Sequence, residues 1–247
     1  MNKGAFVRQV VKDYALVAPI PPGNYSFAGN SVGCKEIVCH LWKESSAPRT
    51  LLDIGFGIGD LARIVRARPE HAQWHLDGID GFHVACCNTE LFNKKHYRHI
   101  WHGLAQEIPA EQLASYDAIC LFDVIEHLDV VASKALLRHL LASLGPNSRL
   151  VLSTPLFFWP QDHKNPDDLE EHLIGIPAHS LVALAPLMYF IHSDFLVGTF
   201  VFSRKSLDLI DGFVPTSDKA FDMNAGRVHL ESLGLKADDT LYFVNPA

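Results

Sequence analysis

The sequence has no C-x-x-C pair, no G-K-[ST] after a glycine-rich turn, no internal repeat and no low-complexity tract. Its five cysteines (Cys34, Cys39, Cys86, Cys87 and Cys120) form neither a zinc-like spacing nor a disulfide framework, which fits a reducing compartment. Cys120 lies in an apolar run and reads as core, and Cys86 and Cys87 read as ordinary helical thiols. Positive charge is scarce: 21 Lys and Arg stand against 28 Asp and Glu, for a net charge of −7. That balance argues against a protein built to grip phosphates, so no nucleic-acid partner is expected. Long apolar runs are scarce too. Residues 1–23 lack the unbroken h-region of a signal peptide. Ser180 to Ser203 is apolar enough to raise a membrane question, but Pro186, His192 and Asp194 interrupt it. It reads as a buried helix followed by strands. A soluble, cytoplasmic protein without a membrane span is expected.

What the chain does have is material for a large core, with 48% apolar and 20% charged residues over 247 positions. From residue 50 to about 155, short apolar runs alternate with helical patterns. Strands are expected at Thr50–Ile54, His75–Ile79, His99–His102, Ala118–Phe122 and Arg149–Ser153. Helices are expected at Asp60–Ala67, His83–Asn93, Ala110–Ser115 and Val130–Leu144. The last carries a core stripe of Val131, Leu136, Leu137, Leu140, Leu141 and Leu144, and "GPN" stops it. Such alternation implies βαβ units and a mostly parallel sheet with helices on both faces. "LMYFI" and "VGTFVFS" add an antiparallel hairpin at the C-terminal edge, for a doubly wound α/β fold of seven strands. Residues 1–49 read as a helical approach or lid, with a loop over 19–30 and a helix over Cys34–Lys43. Residues 50–204 form the main domain, with a Pro-rich loop at about 155–185, and 205–247 form a C-terminal extension.

The stretch "TLLDIGFGIGD" places Asp53 before Gly55, Gly57 and Gly59, and Asp60 after them. Glycine is costly where a side chain would serve, so three at this spacing imply tight turning or a ligand close to the backbone. In open α/β sheets that ligand sits at the carboxyl ends of the strands. The dinucleotide pattern G-x-G-x-x-G needs glycine at position 60, which is Asp60. A carboxylate there opposes a pyrophosphate at the helix N-terminus. Acids on both sides of the loop suit a cationic ligand. S-adenosylmethionine (SAM) carries an ammonium and a sulfonium and no phosphate.

At these residues the chain resembles the class I SAM-dependent methyltransferases, whose first motif "LLDIGFGIGD" matches closely. "HLDGID" supplies Asp80 at the end of the next strand, about 25 residues past the first glycine, as an acid for ribose hydroxyls. "YDAICLFDVIEHLD" resembles the fourth-strand segment of that superfamily, and "SRLVLSTP" the fifth. The branch most resembled is the one linked to ubiquinone biosynthesis and polysaccharides. The resemblance implies that Asp53, Phe56 and the Gly55, Gly57 and Gly59 backbone flank the methionine half of SAM. It implies that Asp80 and Gly81 meet the ribose, that Phe82 covers the adenine, and that the backbone at Phe122 and Asp123 meets the ammonium. One departure is that "HGLAQE" has Leu104 where an acid usually meets the adenine amino group, which leaves backbone groups of Leu104 and Ala105 for that contact.

Methyl transfer from a sulfonium is an in-line displacement, so the protein mainly positions the acceptor and supplies a base if a hydroxyl reacts. Glu126 and His127 follow the fourth strand, three and four residues past Asp123, and would share a helical face with it. His127 is the candidate base, oriented by a carboxylate. Ubiquinone O-methyltransferases and small-RNA 2′-O-methyltransferases carry an acidic-x-x-E-H metal site that "DVIEH" resembles. Asp123, Glu126 and His127 are therefore an option for a hard divalent ion such as Mg²⁺, joined by His163 or His172. The preferred reading has no metal and gives the phrase a capping and positioning role. "TPLFFWPQDHKNPDDLEEHLIG" resembles a phrase in methyltransferases linked to sugars. Phe157, Phe158 and Trp159 form either an acceptor wall or a packed loop with Trp159 in the core, and His163 and His172 are further bases. In "HYRHIWH", His99 and His102 would face opposite sides of a strand, against a metal site there.

The leading reading is a methyltransferase that moves a methyl group from SAM to a small-molecule or carbohydrate acceptor, on oxygen, releasing S-adenosylhomocysteine (SAH). Two alternatives stand beside it, a non-catalytic SAM-fold scaffold and an NAD(P)-binding oxidoreductase. The oligomeric state is not readable, a homodimer being one option.

Overall fold

The computed structural model describes residues 8–9, 11–12, 15–16, 32–42, 45, 47–192, 196–232 and 241–244. The loop expected over residues 19–30 lies outside the described residues. Five parallel strands form the centre: β4 (Thr50–Ile54), β5 (His75–Asp80), β6 (His99–His102), β7 (Ala118–Phe122) and β8 (Arg149–Pro155). The hairpin of β9 (Met188–His192) and β10 (Val197–Phe202) follows, with β10 antiparallel to β8. These seven strands run in the order β6-β5-β4-β7-β8-β10-β9. Short segments extend both edges, β1 (Arg8–Gln9) beside β6 and β11 (Leu241–Val244) beside β9. A separate pair joins β2 (Val11–Lys12) to β3 (Ala15–Leu16). Strand order reverses at β4, between β5 and β7, which opens a crevice at the carboxyl ends of these strands.

Strand residues alternate between two apolar clusters, as the two-residue period requires. Leu52, Ile119, Leu121, Leu150 and Leu152 face one cluster, and Leu51, Cys120, Phe122 and Val151 face the other. The first is covered by α7 (Val130–Ser143) through Leu136, Leu137, Leu140 and Leu141. The second is covered by α3 (Asp60–Arg66) and by α2 (Ile37–Leu41), which follows α1 (Val32–Lys35). All five cysteines are buried, and none forms a disulfide. Asp77 in β5 ties three strands together, accepting from Arg98 Nε at 3.0 Å, His99 Nδ1 at 3.0 Å and the Tyr116 hydroxyl at 2.9 Å.

Several local expectations change. Val131 stands 79% exposed and is not part of the α7 stripe. At 100° per residue it points about 140° away from Leu136, off the buried face. The single helix expected over His83–Asn93 is two, α4 (His83–Cys86) and α5 (Thr89–Asn93), because the Asn88 side chain accepts the Glu90 N–H and restarts the turn. A four-residue helix α6 (Ala110–Leu113) follows β6, α8 (Ala178–Val182) lies within the Pro-rich 155–185 segment, and α9 (Met223–Ser232) lies beyond it. Asp123, Glu126 and His127 do not sit on a regular helix, since only a 3₁₀ turn over Ile125–His127 precedes α7.

Candidate active site

The glycine loop joins β4 to α3, and all three glycines take the left-handed backbone: φ is +67° at Gly55, +52° at Gly57 and +82° at Gly59. Two of them also make room for neighbours. A Cβ on Gly55 would collide with Val124, and one on Gly59 would lie 2.5 Å from Leu91 Cδ2. Gly57 differs, because nothing lies within 4 Å of where its Cβ would be. The outer face of the loop is open at that point.

Asp80 ends β5 and holds this loop. Its Oδ2 accepts the Gly57 N–H at 2.9 Å and its Oδ1 the Phe82 N–H at 2.8 Å. Burial raises its pKa against those two bonds. Asp53 is buried too, pushed up to about 7 by desolvation, while the Tyr97 hydroxyl and the Lys35 cation pull the other way. Phe56 and Phe82 are 5% and 8% exposed and belong to the core cluster. The apolar surface beside Gly81 comes instead from Leu169 and Leu104, whose side chains would contact a Cβ there and which are 51% and 45% exposed. The Leu104 N–H donates to Glu107 Oε2 at 3.1 Å, and the Leu104 and Ala105 carbonyls accept from Glu107 and Ile108. Of the backbone groups assigned to adenine, the Ala105 N–H is left.

The end of β7 is strained, with Asp123 at φ +55°. Its N–H donates to the Ser153 carbonyl at 2.9 Å, and Ser153 Oγ donates to its Oδ1 at 2.8 Å. Glu126 is 1% exposed. Its Oε2 accepts from Thr154 Oγ1 at 3.0 Å, and its Oε1 is buried with no hydrogen-bond partner. Burial, then the Asp123 charge, raise its pKa well above the ordinary carboxyl range.

Two imidazoles face this carboxyl. His127 Nδ1 donates to the Glu171 carbonyl at 3.1 Å, and His172 Nδ1 donates to the Trp159 carbonyl at 2.7 Å. A carbonyl only accepts, so each Nδ1 carries a proton. The rings lie 4.7 Å apart in an edge-to-face arrangement. Burial lowers both pKa values, that of His172 to about 4. Glu126, His127 and His172 offer one ligand atom each within 4.8 Å of one another. Asp123 is not in this group, so the acidic-x-x-E-H spacing places its acids differently from the sequence expectation. His163 is not in it either. It is 59% exposed and paired with Asp168 and Glu171.

The segment that brings His172 here is anchored on Glu126 itself, whose carbonyl accepts the Leu173 and Ile174 N–H groups at 2.9 and 3.3 Å. Phe157 and Phe158 are buried while Trp159 is 37% exposed, so neither a full aromatic wall nor a core tryptophan describes the loop. Tyr97, Thr154, Leu169 and Glu170 were not singled out by sequence, because only tertiary packing brings them to the crevice.

The profile of a methyltransferase-domain family matches residues 31–192, roughly two thirds of the chain. No curated protein matches. Among solved structures, the Haemonchus contortus phosphoethanolamine N-methyltransferase 2 complex with phosphomonomethylethanolamine and SAH is 17% identical. The match covers 53% of this chain and 30% of that one at a TM-score of 0.42. An O-methyltransferase family protein from Burkholderia thailandensis is 13% identical over 70% of this chain and 57% of that one, at 0.47. The methyltransferase domain of bacterial CtHen1 is 17% identical over 68% and 96%, at 0.48. The chain thus spans less than two thirds of the length of the first of these. With the family profile laid over the glycine loop, Asp80 and the β7 turn, the chain belongs to the methyltransferase-domain family.

Proposed function

We propose that the protein transfers the SAM methyl group to a hydroxyl oxygen of a small-molecule or sugar-like acceptor, seated between the end of β7 and the 155–175 segment. The observation that carries this reading is the pair of imidazoles, His127 and His172, each fixed through Nδ1 to a backbone carbonyl and set beside Glu126. The acceptor oxygen attacks the methyl carbon, the carbon–sulfur bond breaks with its electrons going to sulfur, and SAH forms. The hydroxyl proton passes to an imidazole Nε2, a role a neutral histidine fills. In this reading Asp53 and the Gly55, Gly57 and Gly59 loop, with Phe56 beneath it, flank the methionine half. Asp80 offers the ribose the lone pairs that Gly57 and Phe82 leave, with Gly81 beside it. The Ala105 N–H meets the adenine, and the Phe122 and Asp123 backbone the ammonium.

A second reading is favoured by the orphaned Glu126 Oε1: the two Nε2 atoms and this oxygen suit a divalent transition ion better than Mg²⁺, which wants oxygen ligands. Bound there, such an ion would acidify the acceptor hydroxyl.

Methyl-labelled SAM offered with hydroxyl, amine and thiol acceptors tests the proposal. Label is expected on hydroxyls, with His127→Ala and His172→Ala each losing about 10²–10⁴-fold. Transfer confined to amines or thiols would refute the oxygen assignment, and SAM binding without any transfer would favour a binding module. Loss of transfer on chelation, restored by Mn²⁺ or Zn²⁺, would support the ion.

A further inference from the structure

We infer that Lys35 is a further cofactor-binding residue, which takes the carboxylate at the methionine end of SAM. The inference rests on the cofactor placement proposed above. Lys35 ends α1 and is half-buried, between the buried Cys34 and the buried Ile37, Val38 and Cys39 of α2. Those neighbours share a core cluster with Phe56, Leu61 and Phe122, so the backbone that carries Lys35 is packed on the elements around the glycine loop. From there its Nζ stands over the Phe122 ring, 6.0 Å from the centroid, at the carboxyl end of β7. Its charge also acts on Asp53, near the carboxyl end of β4. The cation thus lies at the β4–β7 side of the crevice, where strand order reverses.

The methionine end of SAM carries a carboxylate as well as an ammonium. Acids and carbonyls suit the ammonium, but Asp53 and Asp123 oppose a carboxylate, which needs a cation beside it. The cations near the loop divide clearly. Arg63 in α3 is paired with Asp60 at 3.2 Å and reaches Glu90 at 3.9 Å. Arg66 donates to the Trp74 and His96 carbonyls. Among the described residues, none forms a hydrogen bond or ion pair with Lys35 Nζ, which has the Phe122 ring face instead. Attraction to a ring face is weaker than a charge-assisted bond to a carboxylate, and the flexible lysine stem lets the ammonium turn from one to the other.

Calorimetric titration of the full chain with SAM and with decarboxylated SAM separates the cases. The second ligand keeps the sulfonium and the ammonium and lacks only the carboxylate. Wild type is expected to favour SAM about five- to twentyfold. Lys35→Met keeps the length of the side chain and removes its charge. It is expected to weaken SAM by about that factor while decarboxylated SAM stays within about twofold, which also shows that the site still folds. Lys35→Arg keeps the charge and is expected to keep the preference. Equal affinity of wild type for the two ligands, a preference that survives in Lys35→Met, or one that vanishes in Lys35→Arg would overturn the role of Lys35. Failure of wild type to bind either ligand would instead overturn the cofactor placement, and this inference with it.

Discussion

The Tyr97 hydroxyl donates to Asp53 Oδ2 at 2.5 Å, in a core that buries both side chains. Burial, acting against the Tyr97 bond, makes Asp53 hold its proton to about pH 7 in the free protein, against 3.8 ordinarily. An acid whose folded pKa is raised binds more protons folded than unfolded. Its contribution favours the folded state at low pH and is lost as pH rises from about 4 to about 7. A cationic cofactor favours the ionised form, so SAM binding near pH 7 is expected to release a proton. Binding enthalpy should vary with the ionisation heat of the buffer, and Asp53→Asn should abolish that variation. A buffer-independent enthalpy in wild type would contradict the coupling.

Glu126 carries the same sign more strongly, since its pKa lies well above the unfolded 4.5. Above that pH its burial costs stability at up to about 1.4 kcal/mol per pH unit until it ionises. Glu126→Gln should flatten the fall in Tm as pH rises above about 4.5 relative to wild type, yet slow methyl transfer. Parallel pH profiles for the two proteins would show that Glu126 is not held protonated.

Neutral imidazoles at His127 and His172 predict where activity is lost. Both pKa values are pulled below 6.5, so kcat/KM should fall only on the acid side, below about pH 6.5, and neither group should cause an alkaline loss. In His172→Ala, removing the ring packed edge-to-face on His127 should cut kcat more than it raises the KM for SAM. A wild-type acid limb centred above pH 7 would refute the assignment.

The three glycines separate folding from binding. Gly59→Ala meets Leu91 at a positive φ and should cost more stability than Gly57→Ala, which meets nothing and bears about 1–2 kcal/mol of backbone strain. Gly57→Ala should fold and still bind SAM at least tenfold more weakly, because its new methyl stands in the open face. Thermal unfolding and titration of both variants check this. Equal SAM affinity in Gly57→Ala and wild type would remove the loop from the cofactor site.

Much of this was legible from short-range pattern. Asp53 with its three glycines, Asp80 at a strand end and "DVIEH" after another are contiguous signals, and β-branched runs between them set the parallel sheet. The active-site partners were not. His172 reaches His127 through bonds from Leu173 and Ile174 to a carbonyl 47 and 48 residues earlier, which no spacing rule encodes. The choice of His172 over His163 turns on Trp159 offering a carbonyl to one and Asp168 a carboxylate to the other. Val131 failed because its neighbours in sequence, not its own chemistry, decide which way that face of α7 points.

The most direct test of the cofactor site is calorimetric titration of wild-type protein with SAM and with NAD. One SAM per chain and no NAD is the predicted result. Binding of NAD without binding of SAM would contradict it.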